Sequence, residues 1–485
     1  PLFLPPGIEN QMRFPVPGPI SEATLALTGE EQREIGARIG SGGTITFFRF
    51  DTGTVISESS VPVPRGATIT SAAIAERRSY AQGFGLSDGR VIVARQNFAV
   101  TYPDGKRKIT PELQYPLGED PLVIDPGGRA IRLLGIQQSD DGSTVVAQTE
   151  DGRLLLSAVD ISTNTMTGEV KSDVQSAEIA DPPQGIRQLV IESKQRELYI
   201  LHGDRTLTRY DISNKSSVRR LETVEMATPE ERVTTLTMLS GGFSLIAGTD
   251  KGTISQWFLV RTEGASFALQ RIRTFEPMPA AITVLAPEFF RKGFVAGDAQ
   301  GHLGSYFATS QRQLFVLPIS DRPLSVLGVP PRGNGYLAQD GAGQVHTAAV
   351  ENHYPEASFH SVWQKVWYES YEAPDYVWQS SAANSDFEPK FSLAPLTYGT
   401  LKAATYAMLV SVPLAILGAI FTAYFMSPRM RTIVKPTIEV MEALPTVVLG
   451  FLAGLWLAPL VDNSLAGVLL SILLLPATMV LAAYL

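Results

Sequence analysis

Seven tight turns cut most of this chain into units of similar length, and their spacing restricts the fold more than any other feature. They fall at Gly43-Thr44-Ile45, Gly89-Arg90-Val91, Gly152-Arg153-Leu154, Arg205-Thr206-Leu207, Gly252-Thr253-Ile254, Gly301-His302-Leu303 and Gly343-Gln344-Val345, between 42 and 63 residues apart. Short apolar alternation surrounds each of them. Ser87-Asp88-Gly89, Glu150-Asp151-Gly152 and Asp250-Lys251-Gly252 supply the positive-φ residues that such hairpins need. A recurrence near fifty residues, with room for four short strands per unit, is expected of propeller blades. The reading is a seven-bladed, WD40-like β-propeller over residues 23–352. Six blades stay open if the segments 44–50 and 55–61 only complete the last blade. A β-sandwich would not repeat at this interval. Residues 1–22, rich in proline (Pro1, Pro5, Pro6, Pro15, Pro17, Pro19), read as an extended lead-in.

The end of the chain obeys different rules. Residues 396–485 hold only four basic and three acidic side chains, whereas the rest holds 36 and 45, a net charge near −9. Three apolar segments, 403–426, 443–461 and 464–485, are each long enough for the roughly 20 helical residues that cross a bilayer. The positive charges Arg429, Arg431 and Lys435 lie between the first two, which places that loop in the cytoplasm. The propeller, upstream of the first span, then lies outside it, and a further helix before Pro1 is required as an anchor. The chain begins at Pro1 and stops at Leu485 inside an apolar run, so both ends read as truncations. Between propeller and spans, residues 353–394 carry Trp363, Trp367, Tyr368, Tyr371, Tyr376 and Trp378. These are either an interfacial aromatic belt or a cluster packing a linker onto the propeller.

Within this tail, residues 437–459 are the most informative. Glu439 and Glu442 stand at helical spacing, followed by an uncharged run interrupted by Pro445, Gly450, Gly454 and Pro459. Membrane helices tolerate such punctuation because neighbouring helices satisfy the freed backbone groups. Gly450 and Gly454 form a small-xxx-small pair that lets another helix approach closely. The two carboxylates read as a helix N-terminal cap or subunit contact rather than a pore lining, since they would repel an anion.

The string IEVMEALPTVVLGFLAGLWLAP resembles the helix after the first cytoplasmic loop in permease subunits of phosphate-specific ABC importers, the PstC type. Upstream, Pro395-Leu396-Thr397-Tyr398-Gly399-Thr400-Leu401 resembles the P-x-x-x-G-T-L entry of the same transmembrane domain. The resemblance covers about 394–485. It implies a type I importer permease in a bacterial inner membrane, multi-pass, with the propeller in the periplasm as an inserted docking or regulatory module. It also implies the partners: a second permease subunit, ATP-binding cassette ATPase subunits, a periplasmic phosphate-binding protein and membrane lipid. The family's substrate-handling residues and ATPase-coupling loop lie beyond Leu485. A membrane-anchored propeller scaffold or sensor, and a propeller enzyme of the quinoprotein kind, are the alternatives from other classes.

Other chemistry finds little support. The chain has no cysteine, which excludes disulfides and thiolate metal sites. Asp51-Thr52-Gly53 imitates an aspartic-protease loop, but that chemistry needs two such loops sharing a proton. The motif falls where Thr262-Glu263-Gly264 falls in another unit, and reads as a turn. Asp140-Asp141-Gly142 reads likewise. His202, His302, His346, His353 and His360 lack metal-ligand spacing, no P-loop occurs, and no basic run points to nucleic acid. No catalytic residue, cofactor or metal site is expected.

Overall fold

The computed structural model describes residues 6–163, 170–262, 266–379, 388–442 and 445–485, and it divides into two units, Pro1–Thr397 and Tyr398–Leu485. The first holds seven antiparallel sheets of a β-propeller. Blade 1 runs Thr24–Gly29, Ile35–Gly40, Thr44–Arg49 and Val55–Ser60. Blades 2 to 6 occupy 69–123, 131–179, 186–225, 233–274 and 282–318. Blade 7 takes its first three strands from 324–351 and its fourth from Gly7–Pro15, which pairs antiparallel with Gln344–Glu351.

This pairing settles the blade count at seven. Segments 44–50 and 55–61 belong to blade 1, and the strand that completes the last blade comes from within the proline-rich first 22 residues. That strand exposes all of its side chains but one to some degree. Only Phe14 is buried, which is why it carries no alternation to be read. Phe14 meets the Phe48 ring of blade 1 edge-on, centroids 5.9 Å apart, and so links the last blade to the first.

All seven turns lie between the second and third strands of their blades. Glycines with φ between 73° and 90° occupy six of them, and the seventh, beside Arg205, uses Gly203 at 58°. A second repeated feature escapes sequence reading. Every first strand pairs with its second through a one-residue bulge, at Leu25, Thr70, Arg132, Arg187, Thr234, Thr283 and Ser325. Bulges re-aim side chains, and here three of them reach the next blade. Thr70 Oγ1 donates to the Ile131 carbonyl (2.7 Å), Arg187 Nη1 to that of Val233 (2.7 Å) and Thr283 Oγ1 to that of Leu324 (2.5 Å). The first strands therefore line the inside of the ring.

Second strands such as Ala81–Leu86, Ser244–Thr249 and Gly293–Asp298 are buried throughout, being covered on both faces by neighbouring blades. Room for that contact comes from glycine. A Cβ on Gly85 would approach Ile131 Cγ2 to 2.7 Å, one on Gly248 would approach Ile282 Cγ2 to 2.6 Å, and one on Gly297 would approach Leu324 Cβ to 2.8 Å. Blade 2 is wider than the rest, its outermost position shared by Lys108–Gln114 and Leu122–Val123.

After the propeller, a short helix α1 (Phe359–Trp363) opens a strap that ends in Lys390–Phe391, paired with Trp378–Gln379. The remaining helices are α2 (Ala394–Ile420), α3 (Pro428–Glu442), α4 (Thr446–Leu452), α5 (Ala458–Asn463) and α6 (Leu465–Tyr484). A π-helical turn extends α2 to Phe425, and another joins α4 to α5. Three stretches are long and apolar enough to cross a membrane: Ala394–Phe425, Thr446–Asn463 and Leu465–Tyr484. The first starts nine residues earlier than expected. The expected start of the second, at Ala443, lies outside the described residues.

Blade contacts of the Gly248 kind predict a sharp contrast between two glycines. Gly248→Ala should lower propeller stability by about 1–3 kcal/mol through overpacking against Ile282. Gly341→Ala, where the nearest atom lies 3.7 Å from the new methyl, should change it by no more than about 0.5 kcal/mol. Denaturant unfolding of both variants is the measurement, and equal losses would remove the blade-contact explanation.

Candidate functional site

The strap after blade 7 carries the densest buried charge in the described structure. It starts on blade 6, where Ser310 Oγ donates to the Pro355 carbonyl (2.9 Å) and Arg312 Nη1 to that of Ala357 (3.2 Å). Ser358 caps α1, accepting from the Ser361 backbone at 3.0 Å. Beyond α1 the chain delivers Glu369 into the junction of blades 5 and 6. There Lys292, from the loop between the first two strands of blade 6, places Nζ 2.6 Å from Glu369 Oε2. Ser244 of blade 5 donates to Oε1 at 2.5 Å. Glu388, at the far end of the strap, accepts from the Glu369 backbone (2.7 Å) and from Thr309 Oγ1 (2.5 Å). Arg273 of blade 5 donates to the carbonyls of Ala308, Thr309 and Trp367.

Two cations thus face two carboxylates away from water, each satisfied by further hydrogen bonds, the condition for tolerating buried charge. Burial still pushes the Glu369 carboxyl up to about 6, the Glu388 charge adding to it, although Lys292 pulls the other way. Burial likewise lowers the Arg273 guanidinium, partly offset by Glu388 and Glu369. The arrangement is a clamp: it has no open face for a substrate, and it fixes the strap to the ring.

The aromatic segment divides between its two readings. Tyr368 is buried, and Trp367 packs edge-on against Phe258 with centroids 6.3 Å apart. Lys390 Nζ lies 5.6 Å from the ring centres of both Tyr368 and Tyr371. Trp363, Tyr376 and Trp378 stay exposed. The strap does not end loosely. Ser392 N donates to the Val377 carbonyl and Leu393 N to that of Val362, so the start of α2 is tied back to the strap.

In the second unit, the positive charges Arg429, Arg431 and Lys435 sit on α3, a helix where a loop was expected. Glu439 and Glu442 fall in the last turn of the same helix. This overturns the N-terminal cap reading, because carboxylates at a helix C-terminus oppose the dipole. Pro445 instead precedes the next helix as its N-cap residue. Around Gly450 and Gly454, nothing lies within 4 Å of the point a Cβ would occupy, and the apolar helices that carry them are exposed over their length. The packing role of these residues therefore has no partner within this chain's described residues.

The remaining motifs resolve as structure. His302 pairs with Asp298 (2.9 Å) and His346 with Asp340 (3.0 Å), carboxylates that also accept backbone N–H groups of their own turns. His202 meets Thr208, His360 meets Gln364, and His353 lies beside Tyr354. Among the described residues no cluster of three His, Asp or Glu could hold a metal. Asp51 sits at an exposed turn paired to Arg49, and Gly142 closes the turn after Asp141. The comparison motif at 263–264 lies outside the described residues. Sequence reasoning missed the clamp, since nothing local distinguishes Lys292 or Arg273 from solvated charges. The one available signal was a pair of carboxylates and a lysine, Glu369, Glu388 and Lys390, around an aromatic run.

No protein-family profile matches the chain. A curated protein of Bacillus subtilis (strain 168), described as the probable ABC transporter permease protein YqgH, is 29% identical over 102 residues. That match spans 19% of this chain and a third of the relative's length. Among solved structures, the β-propeller domain of Myceliophteria thermophila Cps50 (Swd1) is 13% identical, covering 71% of this chain and 99% of that one, with a TM-score of 0.44. Raptor of Chaetomium thermophilum is also 13% identical, covering 72% and 29%, with a TM-score of 0.47. The propeller assignment rests on the sheet topology. The chain therefore joins a seven-bladed propeller to three helices apolar enough to cross a membrane, and part of it is similar to an ABC transporter permease.

The clamp makes stability depend on pH. Folded protein holds the Glu369 proton to about pH 6, whereas an ordinary glutamate releases it near 4.5. The folded state binds the extra proton between those values, so acidification through this window favours folding, by about 2 kcal/mol for this group. Glu369→Gln should flatten the dependence by that amount. Unfolding free energies at several pH values from 4.5 to 6.5 test it, and parallel curves for the two proteins would refute the assignment.

Proposed function

We propose that this chain is the permease subunit of an ATP-driven importer, with its helices in a bacterial inner membrane and its propeller in the periplasm as a docking or regulatory module. The observation that carries the reading is the similarity to an ABC transporter permease in a chain with three membrane-competent helices. Inorganic phosphate is the substrate suggested by the PstC-type motif around Glu439–Pro459 and by Pro395–Leu401. Alternating access against a second permease subunit, driven by separate ATPase subunits and fed by a periplasmic phosphate-binding protein, would accomplish the import. The permease performs no covalent chemistry in this scheme. Glu439, Glu442, Pro445, Gly450 and Gly454 are assigned to contacts with the partner subunit or neighbouring helices. Their exposure in the single chain is consistent with that role.

Orientation follows from the positive charges on α3. The chain lacks cysteine, so single cysteines report cleanly. Arg431→Cys should resist impermeant thiol reagents in intact cells with a permeabilised outer membrane, while Asp88→Cys should label. The reverse pattern would sink the periplasmic propeller.

Excision of the propeller tests its accessory role. A cut at 24–352 would leave Gly7–Pro15 without its sheet and Glu369 without Lys292, so the boundary belongs at about 7–392. That variant should insert and retain measurable phosphate uptake in cells lacking other phosphate importers, with abundance checked by immunoblot. Loss of uptake at normal abundance and ATPase assembly would put the propeller in the transport path. Absence of uptake by the intact protein would favour a membrane-anchored scaffold or sensor instead.

A further inference from the structure

Inside the ring, the first strands of blades 2 to 6 surround a cavity of about 210 Å³. One end is bounded by the loop 75–80 of blade 2, whose tight turn Arg77–Ser79 carries Arg77 inward. Arg77 crosses blade 1 to reach blade 7: Nη1 donates to the Leu27 carbonyl (3.3 Å) and Nη2 to that of Leu327 (2.8 Å). Its Nε is sealed from solvent and meets no acceptor. Two carboxylates, Glu76 and Glu288, also line the cavity, and each is paired with an arginine other than Arg77. Glu76 pairs with Arg78 at 3.0 Å, and Glu288 pairs with Arg291 at 2.6 Å. Burial alone shifts the Arg77 guanidinium, down to about 10, with no acidic group acting to hold it up. Two buried cations elsewhere do have a carboxylate beside them, Lys292 with Glu369 and Arg209 with both Glu197 (2.9 Å) and Glu222 (2.8 Å), whereas Arg38 and Arg273 donate to neutral carbonyl and hydroxyl oxygens.

Two neutral carbonyls orient a guanidinium but do not neutralise it; Arg77 is half-buried with its Nε sealed, and a charge partly removed from water without a counter-ion is destabilising. The cavity beside it is far larger than the roughly 10–15 Å³ that one water needs. Gln137, Ser193, Thr235 and Thr237 line its wall with neutral amide and hydroxyl groups, the donors that complete an oxyanion's hydrogen bonds. We propose that the axial cavity of the propeller binds a small inorganic oxyanion, of the phosphate or sulfate class, as the missing counter-ion of Arg77. The inference stands apart from the transport reading: it concerns the propeller alone and would hold for a scaffold or sensor as well.

The test uses the full chain in detergent, with potassium chloride replaced by potassium phosphate or sulfate at constant ionic strength. The thermal midpoint should rise saturably with either oxyanion, as for any ligand bound only by the folded state. These salts also strengthen burial without binding, so the decisive comparison is Arg77→Met. It should lose the saturable component and keep only the shallow rise common to all proteins. In chloride alone it should be no less stable than the parent, because an unpaired charge has gone. Equal responses in both proteins, or a variant destabilised in chloride with no oxyanion effect in the parent, would make Arg77 a structural tie between blades 1, 2 and 7. Equilibrium dialysis with radiolabelled sulfate keeps the proposal falsifiable should Arg77→Met not fold. The parent should bind one equivalent, displaced by phosphate and not by chloride, and Thr237→Val should bind more weakly. No saturable sulfate binding by the parent would overturn it.

Discussion

Closure of the ring governs everything else in this molecule. A propeller blade hides its two faces against its neighbours, so an open ring would leave both a blade face and a strand edge uncovered. Exposed edges recruit other strands. Here the seal is the pairing of Gly7–Pro15 with Gln344–Glu351, reinforced by Phe14 against Phe48 and by the Val16 N–H donating to the Gly343 carbonyl at 2.8 Å. The two strands lie more than three hundred residues apart, yet the entropic cost of closing so long a loop grows only logarithmically. The cost falls on rate rather than stability, since long-range pairings form late. Blades can assemble locally, but the last sheet and the contact to blade 1 wait for the ends to meet.

The parts of the fold that could be read in advance are those whose cause is local. A turn between second and third strands needs positive φ, glycine supplies it, and the seven turns were visible for that reason. A finer signal was also present. Gly85 and Gly89, Gly248 and Gly252, and Gly297 and Gly301 are each four residues apart; the second of each pair makes the turn and the first admits the neighbouring blade. The closing strand was illegible because only one of its side chains is buried. The bulges that knit blade to blade depend on register between strands, which no residue type announces. In the second unit, the apolar segments were plain from composition. The helix break was not: α3 runs through Pro436 and ends at Glu442, so the carboxylates that resemble the start of a helix are the end of one.

The strap illustrates how a linker becomes part of a domain. Its sequence is polar and aromatic with several charges, which suits a solvated connector as well as a docked one. What decides between them is the pairing of its carboxylates with cations on two different blades. Lys292 and Ser244 hold Glu369, Thr309 holds Glu388, and Arg273 holds the carbonyl of Trp367 between them. Breaking one partner of such a buried set leaves a charge without compensation, a penalty of several kcal/mol. The clamp therefore resists piecemeal loosening. The backbone bonds from Ser392 and Leu393 to Val377 and Val362 extend its reach to the first turn of α2, so the chain leaves the propeller from a fixed point.

The net charge near −9 of the propeller region gives it a long-range field that repels anions. It does not govern the inside. Net charge is dominated by exposed side chains that water and salt screen over about 10 Å, whereas a site inside the ring responds mainly to the few charges within its own shell. In the clamp that shell contains as many carboxylates as cations and needs nothing more. At the axis it contains the Arg77 guanidinium, two carbonyls, and carboxylates already committed to other arginines. An acidic exterior and an anion-seeking interior are thus compatible, and the exterior even sharpens the distinction. It lowers the local concentration of anions at the surface, so that only a site with its own unbalanced positive charge can retain one.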